Sequence, residues 1–361
     1  MAKLGDYVKI RTGKLDANAS SESGQYPFFT CAIEPLKIDS YSYDCECVLV
    51  AGNGDLNVKY YSGKFDAYQR TYIIESMDKT FLDVQYLYFF MDKYLETLRS
   101  QSIGGVIKYI KLGNLTEADI FIPSIERQRK IVQILRKSRE LISLRKQQLA
   151  KLDELVKARF VEMFGDPSNN PMGWKKQNFE DIALLITDGE HMTPQRTNKG
   201  IYLLSARNIL NHTIQLDDVD YIDEEEYGRI ARRIVPQQGD VLVSCSGSIG
   251  RCCVVPSELK FQMVRSVALI RFNNTINPIF AEWLIATDEL QKQIYTSATQ
   301  SSQANLFQGK IRKLCGYVPP LSLQNQFAAF VECVEKQKQT VQQSLEKLEL
   351  MKKALMQEYF G

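Results

Sequence analysis

The chain has 361 residues, 44% of them hydrophobic and 24% charged, and a formal net charge of +2 at pH 7, which is typical of a globular protein with room for two or three domains. Its opening "MAKLGDYVKI" lacks the apolar core of a signal peptide, and no later apolar run is long enough to span a bilayer. We therefore expect a cytoplasmic protein that makes no membrane contact.

The cysteines and histidines give no pattern for a metal site. The eight cysteines show no CxxC spacing, and the chain has only two histidines, His191 and His212, which argues against a zinc site. Cysteines of this kind are usually small buried hydrophobic residues of a reducing compartment. We predict that the chain binds no metal.

The first predicted domain covers residues 1–122. It contains short apolar runs such as "CVLVAG" (47–52) and "TYIIES" (71–76), and a helical pattern near "FLDVQYLYFFMDKYLETLRS" (81–100). Turn residues separate these segments. This combination predicts a mixed α/β domain with large loops.

A long helix is predicted over residues 123–165. Pro123 precedes it and "FGDP" (164–167) ends it with glycine and then proline. Alternating steps of four and three residues give an apolar seam typical of a coiled coil. The seam residues are Ile131, Leu135, Ile142, Leu149, Leu152 and Val156.

The second predicted domain covers residues 166–317. The runs "DVLVSC" (240–245) and "SVALIRF" (266–272) predict strands, and "IFAEWLIATDELQKQIYT" (279–296) predicts a helix. The segment "FEDIALLITDGEH" (179–191) resembles "LGDYVKIRTGK" (4–14) of the first domain. We expect a second mixed α/β domain, with an insertion near residues 217–240.

A second long helix is predicted over residues 318–361, and it repeats the first. At an offset of 196 residues the chain matches itself without a gap from 122 to 165, with eleven identities in 44 positions. The offset is a whole number of heptads, so the seam keeps its phase. It contains Phe327, Val331, Val334, Val341, Leu345, Leu348 and Leu355. Two unrelated amphipathic surface helices are the alternative, but they explain neither the shared phase nor the shared ends.

Chain connectivity predicts how the helices pair. If the second domain takes in and releases the chain at nearby points, the second helix runs back along the first. We therefore predict an α+β protein in which two α/β domains are each followed by a long helix. The helices would form an antiparallel coiled coil with pseudo-two-fold symmetry, and about forty residues of helix span about 60 Å.

Sequence patterns for catalysis are missing. The double proline in "VPPL" lacks the preceding Asn or Asp of an adenine methyltransferase loop, and no G-x-x-x-x-G-K-[ST] loop for ATP is present. The segment "CSGSIG" (245–250) is better explained by turn geometry than by nucleotide binding. We interpret His191 as a loop residue. No catalytic residue is predicted.

The order of these segments resembles the DNA sequence specificity subunit of type I restriction-modification systems. The resemblance is carried by "IPSIERQRKIVQIL", "FVEMFGDP", "NNPMGWKKQNFEDIALLITDGEHMTP", "VPPLSLQNQ" and the final "QEYFG", and it covers essentially the whole chain. The chain departs from the family in lacking the glutamate-glutamine pair at the start of each long helix. There it has Glu126-Arg127-Gln128 and Ser322-Leu323-Gln324.

The resemblance implies a non-catalytic protein that reads double-stranded DNA. Each α/β domain would be a target-recognition domain for one half of a bipartite, asymmetric site, and the helices would set the gap and hold two methyltransferase subunits. Restriction subunits, which are ATP-dependent translocases and nucleases, would complete the assembly. The resemblance implies that S-adenosylmethionine, ATP and Mg belong to the partner subunits and that this chain binds no cofactor.

Polar and basic residues of the predicted loops are the candidates for contact with DNA. Arginine suits guanine edges, asparagine and glutamine suit adenine, and lysine suits phosphate. The first-domain candidates are Lys14, Asn53, Lys59, Tyr60, Gln69, Arg70 and Gln101, and the second-domain candidates are Arg196, Arg207, Asn208, Arg232, Arg233, Arg251, Arg265, Gln300 and Gln303.

The charge distribution leaves a second function open. Residues 123–165 carry 11 basic and 5 acidic side chains, which fits DNA backbone, an acidic partner surface or a solvated helix face equally well. Because the whole chain is nearly neutral, an interaction scaffold with a coiled-coil spacer and no DNA binding is the alternative. An enzyme that acts alone is a third hypothesis.

Overall fold

The computed structural model describes residues 2–297 and 305–361, which form two compact units. The first unit combines the residues up to Gln147 with Val341–Gly361, and the second contains Gln148–Thr340. Each unit therefore joins one α/β domain to parts of both long helices.

Strands and helices alternate irregularly along the chain. In the amino-terminal half they are β1 (Ala2–Lys3), β2 (Val8–Thr12), β3 (Tyr26–Phe29), β4 (Leu36–Ile38), β5 (Tyr43–Ala51), β6 (Val58–Ala67), β7 (Thr71–Ser76), α1 (Val84–Gln101), α2 (Leu112–Thr116), β8 (Asp119–Ile120) and α3 (Ile125–Phe164). Short 3-10 turns lie at Leu4–Asp6 and Ala17–Ala19.

The carboxy-terminal half repeats this pattern with additional short elements. They are β9 (Lys175–Asn178), α4 (Phe179–Ile182), β10 (Ala183–Asp188), β11 (Ile201–Leu204), β12 (Ile209–Leu210), β13 (Thr213–Ile214), β14 (Asp220–Ile222), α5 (Glu224–Ala231), β15 (Val241–Ser244), β16 (Cys252–Val254), β17 (Phe261–Met263), β18 (Val267–Phe272), α6 (Pro278–Ile285), α7 (Asp288–Ser297), α8 (Gln308–Arg312), β19 (Cys315–Val318) and α9 (Leu321–Phe360). A 3-10 turn covers Ala206–Asn208.

The two long helices are α3 and α9, and each has 40 residues. The predicted ranges were 123–165 and 318–361. The helix predicted near 279–296 is interrupted instead, because α6 ends at Ile285 and α7 begins at Asp288.

The central sheets have the same strand order in both units. In the first unit the order is β2-β7-β5-β6-β3-β4, and in the second a sheet β10-β18-β15-β16 is accompanied by a sheet β14-β11-β17. The pairing is antiparallel except that β3 lies parallel to β6, as β11 lies parallel to β17. The long strand β6 thus corresponds in position to the two shorter strands β16 and β17. The internal duplication therefore includes the sheets.

The sheet of the first unit packs against a hydrophobic core on each face. Successive side chains of a strand point alternately into the two cores. Val48 and Val50 of β5 face the helices, whereas Cys47 and Leu49 face a smaller core under β3. The helix-side core contains Tyr86 of α1 and residues from both long helices.

Each unit contains the beginning of one long helix and the end of the other. In the first unit Ile131 of α3 shares a core with Met356 of α9, and Lys146 pairs with Glu349 at 2.9 Å. In the second unit Asp153 pairs with Lys338 at 2.8 Å, and the rings of Phe160 and Phe327 lie 5.3 Å apart. Within each unit the contacts therefore run in opposite directions along the two helices.

A glycine in the left-handed conformation ends α3. Gly165 has φ +78°, and its N–H donates to the Val161 carbonyl at 2.8 Å. The indole N–H of Trp174 donates to the Phe164 carbonyl at 3.0 Å. These bonds satisfy carbonyl groups that the helix leaves open at its end.

Candidate nucleic-acid interface

Four segments of the first unit meet at one end of its sheet, and we call residues 12–15, 52–57, 68–70 and 103–110 the first loop cluster. Backbone hydrogen bonds join these segments to one another and to the first residue of β7. Gly13 N donates to Thr71 O at 3.0 Å, Gly52 N to Arg70 O at 2.8 Å, and Ile110 N to Gly52 O at 2.9 Å. The turns that follow β2, β5 and β6 are thus fixed to the loop that follows α1.

The second unit builds the same arrangement, and we call residues 188–191, 245–251, 264–266 and 305–306 the second loop cluster. Gly189 N donates to Val267 O at 3.0 Å, Cys245 N to Ser266 O at 2.8 Å, and Leu306 N to Cys245 O at 2.9 Å. Because these bonds match those of the first cluster one for one, positions in the two clusters can be compared directly.

A glycine is required at one position in each cluster. A Cβ on Gly13 would lie 2.1 Å from the Ala67 carbonyl oxygen, and one on Gly189 would lie 2.3 Å from the Met263 carbonyl oxygen. Real side chains do not approach a backbone oxygen so closely. The backbone of each loop is therefore held against its neighbouring strand.

The matched framework carries different side chains in its two copies. Gln69 N donates to Leu15 O at 2.9 Å, as Arg265 N donates to Glu190 O at 3.0 Å, so Gln69 and Arg265 are equivalent. By the same comparison, Asn57 corresponds to Arg251, because each carbonyl accepts the bond that closes the turn after β5 or β15.

Several basic candidates are exposed and available for a ligand. Lys14 and Arg70 are exposed in the first cluster, as Arg265 is in the second, and Arg251 is half-buried. Within residues 2–297 and 305–361 the side chains of these four residues have no hydrogen-bond or ion-pair partner. The basic groups of the clusters are therefore free to bind an anionic ligand.

Asn53 and Lys59 are partly committed to neighbours. The Asn53 amide oxygen lies 2.9 Å from Cys31 Sγ, and its backbone bridges to Tyr109. The Lys59 ammonium donates to the Asn57 side chain, and burial lowers the pKa of Lys59. Both residues nevertheless lie in or beside the first cluster.

Three arginine candidates lie beside the second cluster. Arg196 and Arg207 share one carboxylate, that of Asp220, at 3.0 Å each. Arg232 is exposed at the end of α5. The shared carboxylate reduces the net positive charge that Arg196 and Arg207 offer to DNA.

Three candidates hold the structure together. Asn208 is 1% exposed, and its amide donates to the carbonyl oxygens of Gln215 and Asp218. Arg233 binds the Asp188 carboxylate at 2.7 Å and the Gly189 carbonyl at 2.9 Å. Tyr60 lies on the helix-covered face of the sheet and donates to Glu46 at 2.8 Å. Each of these three side chains therefore has a structural role, and their predicted contact with DNA stays a prediction.

Three further glutamine candidates precede α2 or α8 in sequence. Gln101 is the last residue of α1, and its amide oxygen accepts from Asn114 at 3.1 Å. Gln300 and Gln303 lie outside the described residues. His191, interpreted as a loop residue, binds the Asp188 carboxylate at 3.0 Å and so helps to shape the second cluster.

The predicted seam residues lie on the covered faces of α3 and α9. The buried members are Ile131, Leu135, Leu152, Val156, Phe327, Val331, Val334, Val341 and Leu345, and the half-buried members are Ile142, Leu149, Leu348 and Leu355. Lys338, which falls at a seam position, pairs with Asp153 and Glu335. Burial alone would lower the pKa of Lys338, but the hydrogen bonds to these carboxylates raise it.

Two buried glutamines connect the long helices to the domains, and the search for binding residues missed them. The Gln128 amide group donates to the carbonyl oxygens of Phe81 and Pro123 at 2.8 Å each. Gln324 donates to Thr275 at 3.1 Å and Pro319 at 2.8 Å. Their identity across the internal repeat was the signal that could have found them.

The described residues contain no group of three or more metal-binding side chains, and no helix among them could span a membrane. The sequence model of the family described as "Type I restriction modification DNA specificity domain" matches residues 1–154 and 171–350, which is most of the chain. This chain belongs to that family. The match confirms the family inferred from the order of sequence segments.

Individual proteins that resemble this chain share only part of its sequence. The type I restriction enzyme EcoDI specificity subunit of Escherichia coli is 36% identical over 179 residues, which are 49% of this chain and 39% of that subunit. The similarity therefore spans about two fifths of the length of that curated relative.

Solved structures show the fold. The S subunit of a type I restriction-modification system from M. genitalium has a TM-score of 0.68 and 14% identity, covering 100% of this chain and 95% of that one. A second solved structure, from work on complex assembly and conformational transition of the type I R-M system, has a TM-score of 0.59 and 14% identity. The match covers 99% of this chain and 96% of that one. The α+β fold with long helices is thus shared with specificity subunits.

Proposed function

We propose that this chain reads a bipartite, asymmetric DNA site, with one loop cluster on each half. The observation that carries the proposal is the construction of two matched loop frameworks with different side chains. Gln69 stands where Arg265 stands in the other copy. The unpartnered Arg251 stands where the first copy has Asn57, whose amide is bonded to Cys31 O, Asp55 O and Lys59. Equivalent scaffolds with unequal side chains would read unequal base sequences.

Contacts to the DNA backbone supply the affinity in this proposal. The unpartnered side chains of Lys14 and Arg70 belong to the first cluster, and those of Arg251 and Arg265 to the second. They are the groups expected to neutralise phosphates or to contact guanine edges. The near-neutral total charge is no obstacle, because acidic residues such as Glu75 and Asp240 are neutralised by Arg11 and Arg271 outside the loop clusters.

The long helices would set the distance between the half-sites. We propose that α3 and α9 form one antiparallel coiled coil with pseudo-two-fold symmetry, which the contact directions within each unit support. The proposed division is a first recognition domain at 1–122, a second at 166–317, and helices at 123–165 and 318–361. Forty helical residues span about 60 Å.

Two methyltransferase subunits are the proposed partners on these helices. A groove beside the first part of α3 is lined by Arg129, Arg136 and Lys137 together with Asp83 and Glu140, and we propose this surface of mixed charge as the contact for such a partner. The structural relative described by complex assembly of a type I R-M system supports assembly as a property of this fold. Restriction subunits would complete the complex.

The chemistry would reside in those partners. We propose that the chain is non-catalytic and that S-adenosylmethionine, ATP and Mg bind to the partner subunits. Methyl transfer by the isolated chain would overturn this part of the proposal.

The decisive experiment measures binding of the chain, in complex with its methyltransferase partner, to duplex DNA as a function of salt. A DNA-reading complex should lose affinity steeply, with a log-log slope of about −0.9 for each phosphate contact. A slope near zero would favour the scaffold hypothesis. Mapping of methylated bases in a genome that carries the complex should then give a two-part site.

A further inference from the structure

A small loop of the first cluster exposes apolar side chains. Ile103 and Tyr109 exchange two backbone hydrogen bonds, of 3.0 and 2.8 Å, which close a loop of five residues, 104–108. At its tip Val106 is 103% exposed and Ile107 is 62% exposed. We call residues 103–109 the apolar loop.

The shape of the apolar loop is specified by its sequence. Gly104 has φ +119°, and a Cβ there would lie 2.5 Å from the Ile107 carbonyl oxygen. An ordinary residue would be strained at this φ and would collide with the returning chain. The glycine therefore lets the loop turn tightly and direct its apolar residues to the tip.

The apolar loop is fastened to the part of the first cluster that we propose to read DNA. Gly54 N donates to Lys108 O at 2.9 Å, and Asn53 bridges to Tyr109. The Lys108 side chain is exposed and has no partner among residues 2–297 and 305–361. The apolar tip is thus part of the same surface as the unpartnered Lys14 and Arg70.

Basic groups around the tip favour a polyanion as its ligand, and duplex DNA presents few apolar groups. In the major groove the base edges carry hydrogen-bond donors and acceptors, and thymine alone among the four standard bases adds a C5-methyl group. We propose that Val106 and Ile107 contact thymine C5-methyl groups in the half-site read by the first cluster. This inference rests on the proposed function and adds specificity determinants to it.

The proposal applies to one half-site. At the 196-residue offset, positions 106 and 107 correspond to Ser302 and Gln303 in the second copy. Those residues lie outside the described part of the chain, but their side chains are polar. Methyl contacts of this kind are therefore expected in the first half-site and not in the second.

The test uses the complex with its methyltransferase partner and duplexes in which deoxyuridine replaces thymidine, which removes the C5-methyl group and leaves base pairing intact. Replacement in the first half-site should weaken binding by about fourfold for each contacted methyl group. Replacement in the second half-site or the gap should have little effect.

The variant V106S/I107Q gives the apolar loop the side chains of the second copy. It should bind the thymidine duplex more weakly than the wild type and should no longer respond to deoxyuridine in the first half-site. Met77→Ser is the matched control, because Met77 is 64% exposed and follows β7 at the end of the sheet remote from the loops. This control should keep the wild-type response.

Three outcomes would overturn the inference. They are a first half-site without thymine, wild-type binding that ignores deoxyuridine there, and a variant that keeps the wild-type response. If V106S/I107Q instead failed to assemble with the methyltransferase in gel filtration, the tip would belong to a protein interface. Salt-independent binding by the wild type would remove the proposed function itself, whereas salt-dependent binding without a methyl effect would remove this inference alone.

Discussion

The side-chain oxygen of Gln128 accepts a 2.9 Å hydrogen bond from the backbone N–H of Asp83. Gln324 makes the same bond to Asn277 at 2.8 Å. Asp83 is the N-cap of α1 and Asn277 is the N-cap of α6. Each glutamine therefore ties the first turn of a long helix to the first turn of a domain helix, and it does so at equivalent places in both copies.

Replacing Gln128 with leucine should loosen the first of these joints. The change leaves the Asp83 N–H and the carbonyl oxygens of Phe81 and Pro123 without their partner in a site where Gln128 is 0% exposed. Each buried unsatisfied group costs about 1–3 kcal/mol, so we expect a loss of about 3 kcal/mol. Hydrogen exchange should show faster exchange of the Asp83 amide.

Two variants control this prediction. Gln324→Leu should accelerate exchange at Asn277 and leave Asp83 unchanged, because the joints are separate. Gln133→Ala alters an exposed glutamine of the same helix and should affect neither amide. Normal protection of Asp83 in Gln128→Leu would show that the bond does not stabilise the joint.

Gly189→Ala should disturb the second loop cluster and leave the first intact. The added methyl group would lie 2.3 Å from the Met263 carbonyl, and relieving such overpacking costs about 2 kcal/mol. We expect methylation at the site to fall, and we expect exchange protection to fall at Val267 but not at Thr71. Gly113→Ala, where a Cβ has no neighbour within 4 Å, is the control and should behave as wild type.

Arg265→Ala and Arg251→Ala should each weaken DNA binding by the complex. If the side chain contacts a phosphate, the log-log salt slope should become about one unit shallower, and affinity should fall for all sequences. If it contacts a base, discrimination should relax at one position of the second half-site. Lys260→Ala removes a lysine already paired with Glu224 at 2.8 Å and should leave slope and discrimination as they were.

Exchange of residues 171–317 for the equivalent domain of a relative should alter one half of the methylated site. The physical reason is that the loops of the second cluster bond only to their own unit in the contacts described above. Methylation mapping would show the unchanged half beside a new one. Simultaneous change of both halves would contradict independent reading.

Deletion of residues 139–145 from α3 should cripple assembly with the methyltransferase. The stretch from Leu135 to Phe160 would become seven residues, or about 10 Å, shorter than its equivalent from Val331 to Met356 in α9. Contacts at both ends could not then form with undistorted helices. Methylation of the original site at the wild-type level would show that the helices do not pair as proposed.

Local periodicity predicts much of the helical framework. Heptad spacing singles out Ile131 and Leu135, and the structure buries both. The glycine predicted to end the first helix, Gly165, adopts the left-handed φ that such an ending requires. These features depend on neighbours within one or two turns, which the sequence displays directly.

Local periodicity could not predict which polar side chains are free of protein partners and so able to contact a ligand. Arg233 and Asp188 are 45 residues apart in sequence, yet their pairing decides that Arg233 shapes a loop. Asn208 is buried because the chain returns over it at Gln215 and Asp218. Such partners depend on the tertiary course of the loops, so a candidate list from sequence mixes reading groups with structural ones.

The composition of the first unit has a consequence for the order of folding. Its core joins Ile131 and Tyr86 to Met356 and Phe360, residues that are translated only after the whole of Gln148–Thr340. At ~5–20 residues per second that interval lasts about 10–40 s. During synthesis the amino-terminal domain therefore has an uncovered apolar stripe until the last turns of α9 have been made, and only then can its core be completed.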